Sequence, residues 1–333
     1  MKREITLALV VTIVAFLGGY ALGNLGDDSN SLSSNEIINI PSESKIIDVD
    51  TITIGFIPVE KADELTPKAQ ALENFLENEM GINVEVVVPT NYETIIEGMR
   101  FGHIDAAFMD TGPAWITHQR TGAEAVLAEI VNGKVNYQAT VWTLADNDSI
   151  NSLEDTVGKR VAFTSITGSS GFVRPMGTLV SEGHINIEGD DIVALESALA
   201  NNFESYTFAG GYKAALQLLL NGNVDVAFGS DIGPKKYLDP VDQGKLKAVD
   251  TIGPVPSHVF VVSSEMSEGT KTALVNALID LNYAENNHIL RNIYGAEALL
   301  PTSTEMHIGD FGKFIDALVG LDQKILDKYN KGS

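Results

Sequence analysis

An internal repeat constrains the fold of this chain more than any other sequence feature. Residues 91–108 align without a gap on residues 211–228, with tyrosine, glycine, aspartate, alanine and phenylalanine at the same places in both copies. Each copy predicts a helix that begins at the tyrosine, ends at the glycine and leads into a short strand and a Gly-Pro turn. Such units build parallel α/β sheets, so the repeat predicts two α/β lobes of like topology. The alternative is a chance likeness between two ordinary helix–strand units.

Hydrophobic periodicity extends this two-lobe prediction along the chain. It predicts a strand over 51–57, a helix over 67–80 and a strand over 84–88 that is buried on both faces. Further strands are expected over 126–131, 137–144, 246–249 and 259–262, with a corner at 253–256, and helices over 270–282, 285–293 and 311–329. We expect residues 51–144 and 251–333 to form lobe 1. Residues 145–250 form an inserted lobe 2, reached by two crossing segments.

The first fifty residues differ from this pattern. Lys2 and Arg3 precede an uncharged apolar run over 5–23, so residues 1–24 are predicted to be a membrane anchor or a signal peptide. The length of the run favours an uncleaved anchor, although Ala21 or Gly23 could precede a cleavage site. Residues 25–50 are polar and predict a flexible linker. The positive N-terminus places the remainder outside the cytoplasm, in the periplasm or at the cell surface.

Composition excludes several classes of function. The net charge of −23 and the pI near 4.5 oppose binding to nucleic acid or to an anionic membrane surface. The chain has no cysteine, which excludes disulfides, thiolate catalysis and cysteine metal sites. Its six histidines lack metal-ligand spacing and are expected to be structural or on the surface. We therefore expect no metal and no cofactor.

The stretch 161–180 predicts a site for an anion. An apolar strand breaks into Thr167, Ser169 and Ser170, which offer hydroxyl donors, with Gly168 and Gly171 between them to admit a ligand close to the backbone. A helix predicted to start near Ser170 adds unpaired N–H groups and a partial positive charge, which suit phosphate-like groups. The alternative is an ordinary helix N-cap and turn.

The two copies of the repeat supply further candidates. Ligands of open α/β sheets bind at the carboxyl ends of the strands, so the tyrosines and the Gly-Pro turns should face a cleft between the lobes. The candidate ligand contacts there are Tyr92, Asp110, Thr111, Tyr212 and Asp231. Asp105 and Asp225, which follow the tight turns, are expected to serve packing at the strand entry instead.

Several of these motifs together resemble one known family. Gly55-Phe-Ile-Pro58, Asn91-Tyr92, Gly158-Lys-Arg-Val-Ala-Phe163 and Ser169-Ser-Gly-Phe172 are similar, in order and spacing, to the phosphonate, phosphite and phosphate substrate-binding proteins of ABC importers. The resemblance covers nearly everything between residues 52 and 300.

This resemblance implies a fold, a site and partners. The fold would be that of type 2 periplasmic binding proteins, with two Rossmann-like lobes of parallel or mixed sheet joined by two crossing segments. Ser169 and Ser170 would hold the oxyanion, with Thr167 adding to them, and Tyr92 and Tyr137 would line the pocket. The partners would be an ABC permease and its ATPase, and we expect a monomer.

The chain also departs from the pattern of that family. Gly168-Ser-Ser-Gly171 has one hydroxyl fewer than the Ser-Thr-Ser-Gly of many phosphonate binders, and Gly211-Tyr212 replaces a Gly-His. The positions where some members carry carboxylates for an ammonium group fall near Ile232 and Ser257-His258, with Asp231 one place away. An aminoalkylphosphonate is therefore a weaker candidate than phosphate, phosphite or a small alkylphosphonate.

The sequence thus favours a binding protein that closes around a small phosphorus oxyanion. Asp110 or Asp231 could accept a proton from the ligand and so reject sulfate. The alternatives are a membrane-tethered receptor of the same fold and a binder of another small anion. An enzyme is not expected, because Gly-Ser-Ser-Gly is not the Gly-x-Ser-x-Gly of a nucleophile elbow and no paired acidic motif occurs.

Overall fold

The structure is a computed structural model that describes residues 47–56, 62–89 and 92–327. The predicted anchor over 1–24 and most of the predicted linker over 25–50 lie outside these ranges, as do Pro58, Asn91 and Tyr329 of the predicted elements. Within the described ranges, no helix combines the length and the apolar character that crossing a bilayer requires.

Strands and helices alternate along most of the described chain. The strands are β1 (Thr51–Gly55), β2 (Asn83–Val87), β3 (Ala106–Met109), β4 (Glu124–Ile130), β5 (Asn136–Leu144), β6 (Arg160–Phe163), β7 (Ser205–Phe208), β8 (Val226–Ser230), β9 (Leu246–Pro256), β10 (Val259–Val262) and β11 (Ala298–Pro301). The helices are α1 (Ala62–Met80), α2 (Tyr92–Arg100), α3 (Thr111–Thr121), α4 (Arg174–Ser181), α5 (Ile192–Asn202), α6 (Tyr212–Leu220), α7 (Gly233–Tyr237), α8 (Pro240–Gln243), α9 (Glu268–Ile279), α10 (Asn287–Tyr294), α11 (Asp310–Ala317) and α12 (Leu321–Leu326). Single π-helical turns, Ser169–Val173 and Glu305–Gly309, lead directly into α4 and α11.

The strands form two mixed sheets, which confirms the predicted α/β class with two sheets. The first has the order β11-β4-β10-β3-β1-β2 and the second the order β7-β6-β8-β5-β9. β1 pairs in parallel with β2 and β3, and β6 pairs in parallel with β7 and β8, whereas β10 and β5 run antiparallel to their neighbours. The predicted lobe boundaries stay a prediction. By pairing, β5 and β9 both belong to the second sheet.

The repeat found in the sequence is confirmed as a structural repeat. α2 with β3 and α6 with β8 are equivalent units, each beginning at the repeated tyrosine of its copy. Asp105 Oδ2 accepts a hydrogen bond from the Thr53 N–H at 2.8 Å, and Asp225 Oδ2 accepts one from the Arg160 N–H at 3.1 Å. The two aspartates therefore tie their strands to the neighbouring parallel strand, as the packing interpretation predicted.

Two strand predictions were wrong in ways that have a physical reason. β2 lies at the edge of its sheet and is partly exposed, so its apolar run does not mark burial on both faces. The predicted corner at 253–256 is instead the end of the continuous strand β9. β9 is also an edge strand, where Pro254 and Pro256 can be accommodated because one side of the strand needs no N–H donors.

The C-terminal part also differs from the prediction of helices alone. Residues 298–301 form β11, which pairs antiparallel with β4. The helix predicted over 311–329 is divided into α11 and α12, because Gly320 takes a left-handed conformation with φ of 70° against the backbone of Ile192. α1 begins at Ala62, five residues before the predicted start. α5 and β7 were not predicted.

Packing between α4 and α11 joins the helix that follows the predicted anion turn to the C-terminal helices. A Cβ atom at Gly177 would overlap the ring of Phe314. The guanidinium carbon of Arg174 lies 4.3 Å from the centroid of the same ring, and the Arg174 side chain donates to the Ile252 carbonyl at 2.9 and 3.1 Å. The start of α4 is thus fixed to β9 and α11 together.

Candidate functional site

A cleft of about 470 Å³ is lined by residues from both sheets. Strand ends, helix starts and the segments that cross between the sheets all contribute to its wall. The first sheet and its crossing residues contribute Asp110, Thr111, Glu129, Val131, Asn132, Lys134 and His258. The second sheet and its crossing residues contribute Asn136, Tyr137, Thr164, Ser165, Thr167, Gly168, Ser169, Gly211, Tyr212, Ile232, Pro256 and Ser257.

The turn after β6 forms one wall of this cleft. Thr167, Gly168 and Ser169 line it, and the chain then enters the π turn and α4 without a break. A Cβ atom at Gly168 or Gly171 would overlap the Thr164 hydroxyl. Both glycines therefore let the turn fold tightly over Thr164, which differs from the prediction that they admit a ligand to the backbone.

Three helices begin at the cleft. α3 starts at Thr111, the π turn with α4 starts at Ser169, and α6 starts at Tyr212, and these three residues all line the wall. The first N–H groups of a helix lack intrahelical acceptors, and the helix dipole places a partial positive charge there. Their convergence favours the binding of an anionic group at the cleft, although the chain as a whole is strongly negative.

Hydroxyl groups behind the turn form a small hydrogen-bonded group. Ser170 Oγ lies 2.8 Å from the Tyr212 hydroxyl, and the Tyr137 hydroxyl lies close to both groups. Burial, with repulsion from Tyr212 next in size, raises the pKa of Tyr137 well above its ordinary value. Tyr137 therefore stays protonated and can donate. The Tyr212 ring is further held by stacking on Tyr237, with 5.9 Å between the ring centroids.

A second group of side chains on the cleft wall is charged. His258 Nε2 lies 3.0 Å from Asp110 Oδ1, and His258 Nδ1 lies 3.4 Å from Glu129 Oε2. Asp110 occupies the N-cap position of α3, Glu129 lies on β4, and His258 directly precedes β10. An imidazole between two carboxylates is the arrangement that stabilises the charged imidazolium.

The charge state of His258 follows from this placement. Burial by itself would lower the pKa of the imidazole, but the charge of Asp110 and hydrogen bonds to Asp110 and Glu129 outweigh it and raise that pKa to about 10. Solvent reaches 41% of the side chain, while Nδ1 itself is buried. His258 is therefore a cation on the cleft wall at neutral pH, where the sequence predicted a structural or surface histidine.

The structure brings most of the predicted site residues together. The cleft-lining members of the predicted set are Asp110, Thr111, Tyr137, Thr167, Gly168, Ser169 and Tyr212. Thr111 uses its hydroxyl hydrogen on the carbonyl of Pro256, at 3.1 Å, so it can only accept from a ligand. Ser170 and Gly171 lie directly behind the wall, fully or nearly fully buried.

Two predicted site residues lie elsewhere. Tyr92 is fully buried among the apolar side chains of the core and does not line the cleft, because α2 turns its first side chain inward. Asp231 is exposed, and its carboxylate accepts a hydrogen bond from the Gln138 N–H at 3.3 Å. The cleft wall holds its neighbour Ile232 instead.

Glu129 and His258 are the two members of the charged cluster that the sequence did not propose as ligand contacts. Glu129 is the one charged residue inside the apolar run 125–130. Because charged residues are rare in buried strands, this position could have indicated a functional role. His258 follows the Pro-Val-Pro segment, where no local pattern distinguishes it. Its partners lie 148 and 129 positions earlier in the chain, at 110 and 129, so only the tertiary structure reveals the cluster.

Comparison with known proteins gives a family and several relatives. Residues 54–306 match the family described as "ABC transporter, phosphonate, periplasmic substrate-binding protein". The phosphate-import protein PhnD of Mycolicibacterium smegmatis is 33% identical over 204 residues, which cover 60% of this chain and 60% of that protein. The phosphonates-binding periplasmic protein of Escherichia coli is 24% identical over 286 residues, which cover 84% of this chain and 75% of that one. The match to the first relative thus spans less than two thirds of its length.

Solved structures share the fold at low sequence identity. XAC2383 from Xanthomonas citri, bound to chloride ion, superposes with a TM-score of 0.64 at 19% identity, covering 81% of this chain and 99% of that one. PhnD1 from Prochlorococcus marinus, in complex with methylphosphonate, superposes with a TM-score of 0.55 at 15% identity, covering 80% of this chain and 99% of that one. At these identities the likeness concerns the fold alone, and it agrees with the predicted two-sheet architecture.

Proposed function

The chain belongs to the family of periplasmic substrate-binding proteins of phosphonate ABC transporters, and from this we propose that its cleft captures a small phosphorus oxyanion. The observation that carries the proposal is the convergence of three helix starts, at Thr111, Ser169 and Tyr212, on one cleft. Phosphate, phosphite and small alkylphosphonates are the proposed ligands. Each presents a compact group of oxygens that can accept several N–H and O–H donors at once.

The donors on the second-sheet side would hold the oxyanion. Thr167 and Ser169 offer hydroxyls on the turn, Tyr137 offers a protonated phenol, and the first N–H groups of the π turn point along the axis of α4. Each hydrogen bond to a charged ligand contributes roughly 1.5–3 kcal/mol. Ser170 would act indirectly, by holding the hydroxyls of Tyr137 and Tyr212 in position.

Relatives support the choice of a phosphorus oxyanion. One relative is named for phosphate import, another for binding phosphonates, and a structure of the same fold was solved with methylphosphonate. The cleft of about 470 Å³ can hold any of these with part of their water. A phosphorus oxyanion is thus favoured over a carboxylate.

The bound ligand would then be delivered to an ABC permease with its ATPase. In two-lobed binding proteins, hinge closure around the ligand distinguishes the loaded state. We propose that the protein acts outside the cytoplasm, as a monomer, and that residues 1–24 tether it to the membrane. Residues 51–144 with 251–333, and residues 145–250, are proposed as the two lobes that close.

A ligand screen tests this function. The purified full-length chain is heated with phosphate, phosphite, methylphosphonate, 2-aminoethylphosphonate, sulfate or acetate, and each shift in melting temperature is followed by calorimetric titration. We expect saturable binding of at least one of the first three, because any ligand that binds only the folded state raises its stability. Binding of acetate or sulfate with no response to any phosphorus compound would refute the proposal.

A further inference from the structure

The charged wall of the cleft is not explained by oxyanion binding alone. Asp110 and Glu129 bring two carboxylates to a site where an anion is proposed to bind, and His258 offsets only one of them. With the imidazole charged and both carboxylates counted as ionised, this cluster carries a formal net charge of −1. An anion in the same cleft is repelled by that charge. The cluster therefore weakens anion binding, and selection between anions would account for its presence.

Glu129 is held in an unusual environment for a carboxylate. The residue is 1% exposed, on a strand whose other side chains are mostly apolar. Its Oε2 lies against His258, whereas its Oε1 is buried and accepts no hydrogen bond from the residues that the structure describes. Such a group costs free energy of folding, and replacement by an uncharged side chain would avoid much of that cost.

The surroundings of His258 show that the cluster is the main source of charge on this wall. Asp110 from α3 and Glu129 from β4 face the ring directly. Lys134 also lines the cleft but is exposed to solvent. On the far side of Ser257 lies His307, whose Nε2 is 3.1 Å from the Ser257 carbonyl and whose pKa is lowered by burial, so it is neutral near pH 7.

We propose that Glu129 and His258 together set the net charge that the cleft presents to an anion, and so select the charge state of the oxyanion that binds. This inference rests on the proposed function of the same cleft. A ligand that keeps an exchangeable proton, such as an alkylphosphonate monoanion, carries less charge than sulfate and is repelled less. Glu129 and His258 are positioning and specificity residues here, and neither needs to touch the ligand.

Variants that change the charge of the cluster by one unit test the proposal. Affinities for methylphosphonate and for sulfate are measured by calorimetry at pH 7 for the full chain and for H258Q, E129Q and the double variant H258Q/E129Q. H258Q makes the cluster one unit more negative, E129Q makes it one unit less negative, and the double variant restores the original charge. Matched controls are His288→Gln, at an exposed position of α10, and Glu124→Gln, at an exposed position of β4.

We expect H258Q to weaken methylphosphonate binding by roughly tenfold to fiftyfold, as one unit charge does at several ångströms under an effective dielectric constant of about 20 to 40. E129Q should tighten binding, more for sulfate than for methylphosphonate, and the double variant should return close to the original affinities. The ratio of methylphosphonate to sulfate affinity should therefore rise in H258Q and fall in E129Q. The control variants should leave both affinities unchanged.

Two outcomes would overturn the inference without touching the proposed function. If E129Q lowers the affinity for both ligands as H258Q does, or if adding E129Q to H258Q fails to restore the affinity, the cluster is a structural hydrogen-bonded group. Melting curves check that each variant folds, and if H258Q does not fold, E129Q alone decides, since damage to the fold cannot tighten sulfate binding. If the unaltered chain binds neither methylphosphonate nor phosphate nor phosphite, the proposed function itself fails.

Discussion

Ser169 and Ser170 are adjacent in the sequence, but the structure gives them different tasks. Ser169 lines the cleft, whereas Ser170 is fully buried and hydrogen-bonded to Tyr212 at 2.8 Å. The sequence predicted that both hydroxyls hold the ligand. The burial of Ser170 changes that expectation, because its loss leaves buried hydroxyls without their partner.

Single substitutions separate the two serines. Ser169→Ala should weaken phosphorus oxyanion binding by roughly 1.5–3 kcal/mol and leave the melting temperature of the free protein unchanged, because it removes one charged hydrogen bond from a partly exposed site. Ser170→Ala should also lower the stability of the free protein, by about 1–3 kcal/mol. Calorimetric titration and thermal melting measure both effects, with Ser197→Ala in α5 as the control. Equal effects of the two changes on stability would contradict this division.

His258 makes stability depend on pH in the alkaline range. Its pKa is raised to about 10 in the folded protein, against about 6.5 when unfolded. The folded state therefore gains stability from the charged imidazole that is complete below about pH 6.5 and is lost as the pH rises toward about 10. The melting temperature should fall over this window, and it should fall less for H258Q. Parallel curves for the two proteins would show that the imidazole is not held charged.

The residues that carry local signals were predictable, and those that depend on distant partners were not. Thr167, Gly168 and Ser169 stand out in the sequence as a hydroxyl and glycine turn after an apolar strand, and the structure places all three on the cleft. His258 has no such signal, because its charge arises from Asp110 and Glu129, more than a hundred residues away in the sequence. Tyr92 shows the converse error, since a repeated tyrosine was taken for a cleft residue.

The two helix–strand repeat units can be compared through their equivalent aspartates, Asp105 and Asp225. In each unit an aspartate fixes the strand after the tight turn to its parallel neighbour. Asp225 additionally forms an ion pair with Arg160, whose Nη2 lies 2.6 Å from Oδ1. The side-chain hydrogen bond from Arg160, opposed only in part by burial, lowers the pKa of Asp225.

Replacing these aspartates should damage stability and leave the cleft intact. Asp225→Ala is expected to lower the free energy of unfolding by roughly 2 kcal/mol, because hydrogen bonds to a charged group are lost at a partly buried site. Asp105→Ala should cost about 1–2 kcal/mol, since that carboxylate is bonded to a backbone N–H and forms no comparable ion pair among those described. Urea unfolding measures both. A loss of oxyanion affinity without a loss of stability would instead make them ligand contacts.

The limits of element prediction have specific causes in this chain. The helix–strand repeat was found because its glycines and aspartates recur in register. β9 was predicted too short, over 246–249, because Pro254 and Pro256 resemble a corner, and its edge position explains how a strand carries them. β11 was missed because four residues of Ala-Leu-Leu-Pro hold no periodicity, and its pairing with β4 decides its conformation.

For the whole molecule, the strongest constraint on ligand capture is the net charge of −23. This charge repels an oxyanion at long range, while the helix starts and hydroxyls of the cleft attract it only nearby. Salt screens the long-range repulsion more than the short-range contacts. The association rate constant should therefore rise as the ionic strength increases from low to physiological values. Stopped-flow fluorescence measures this, and a rate that falls with salt would indicate attraction by the field of the protein.

The two-sheet architecture of the whole molecule was predictable because local repeats, glycine turns and strand patterns all agree with it. The predicted division into lobes over 51–144 with 251–333 and over 145–250 stays a prediction. It bears on function, since closure around a ligand would move one sheet against the other. Gly177 of α4 and Phe314 of α11, which are in close contact, fall in different predicted lobes.

A crystal structure of the full chain with methylphosphonate tests the central claim most directly. The claim predicts the phosphorus atom in the cleft, with ligand oxygens within hydrogen-bond distance of Ser169 Oγ and the Tyr137 hydroxyl and with the Asp110–His258–Glu129 cluster lining the same cleft. Ligand bound at any other place on the protein, or a cleft that stays without ligand at saturating concentration, would contradict it.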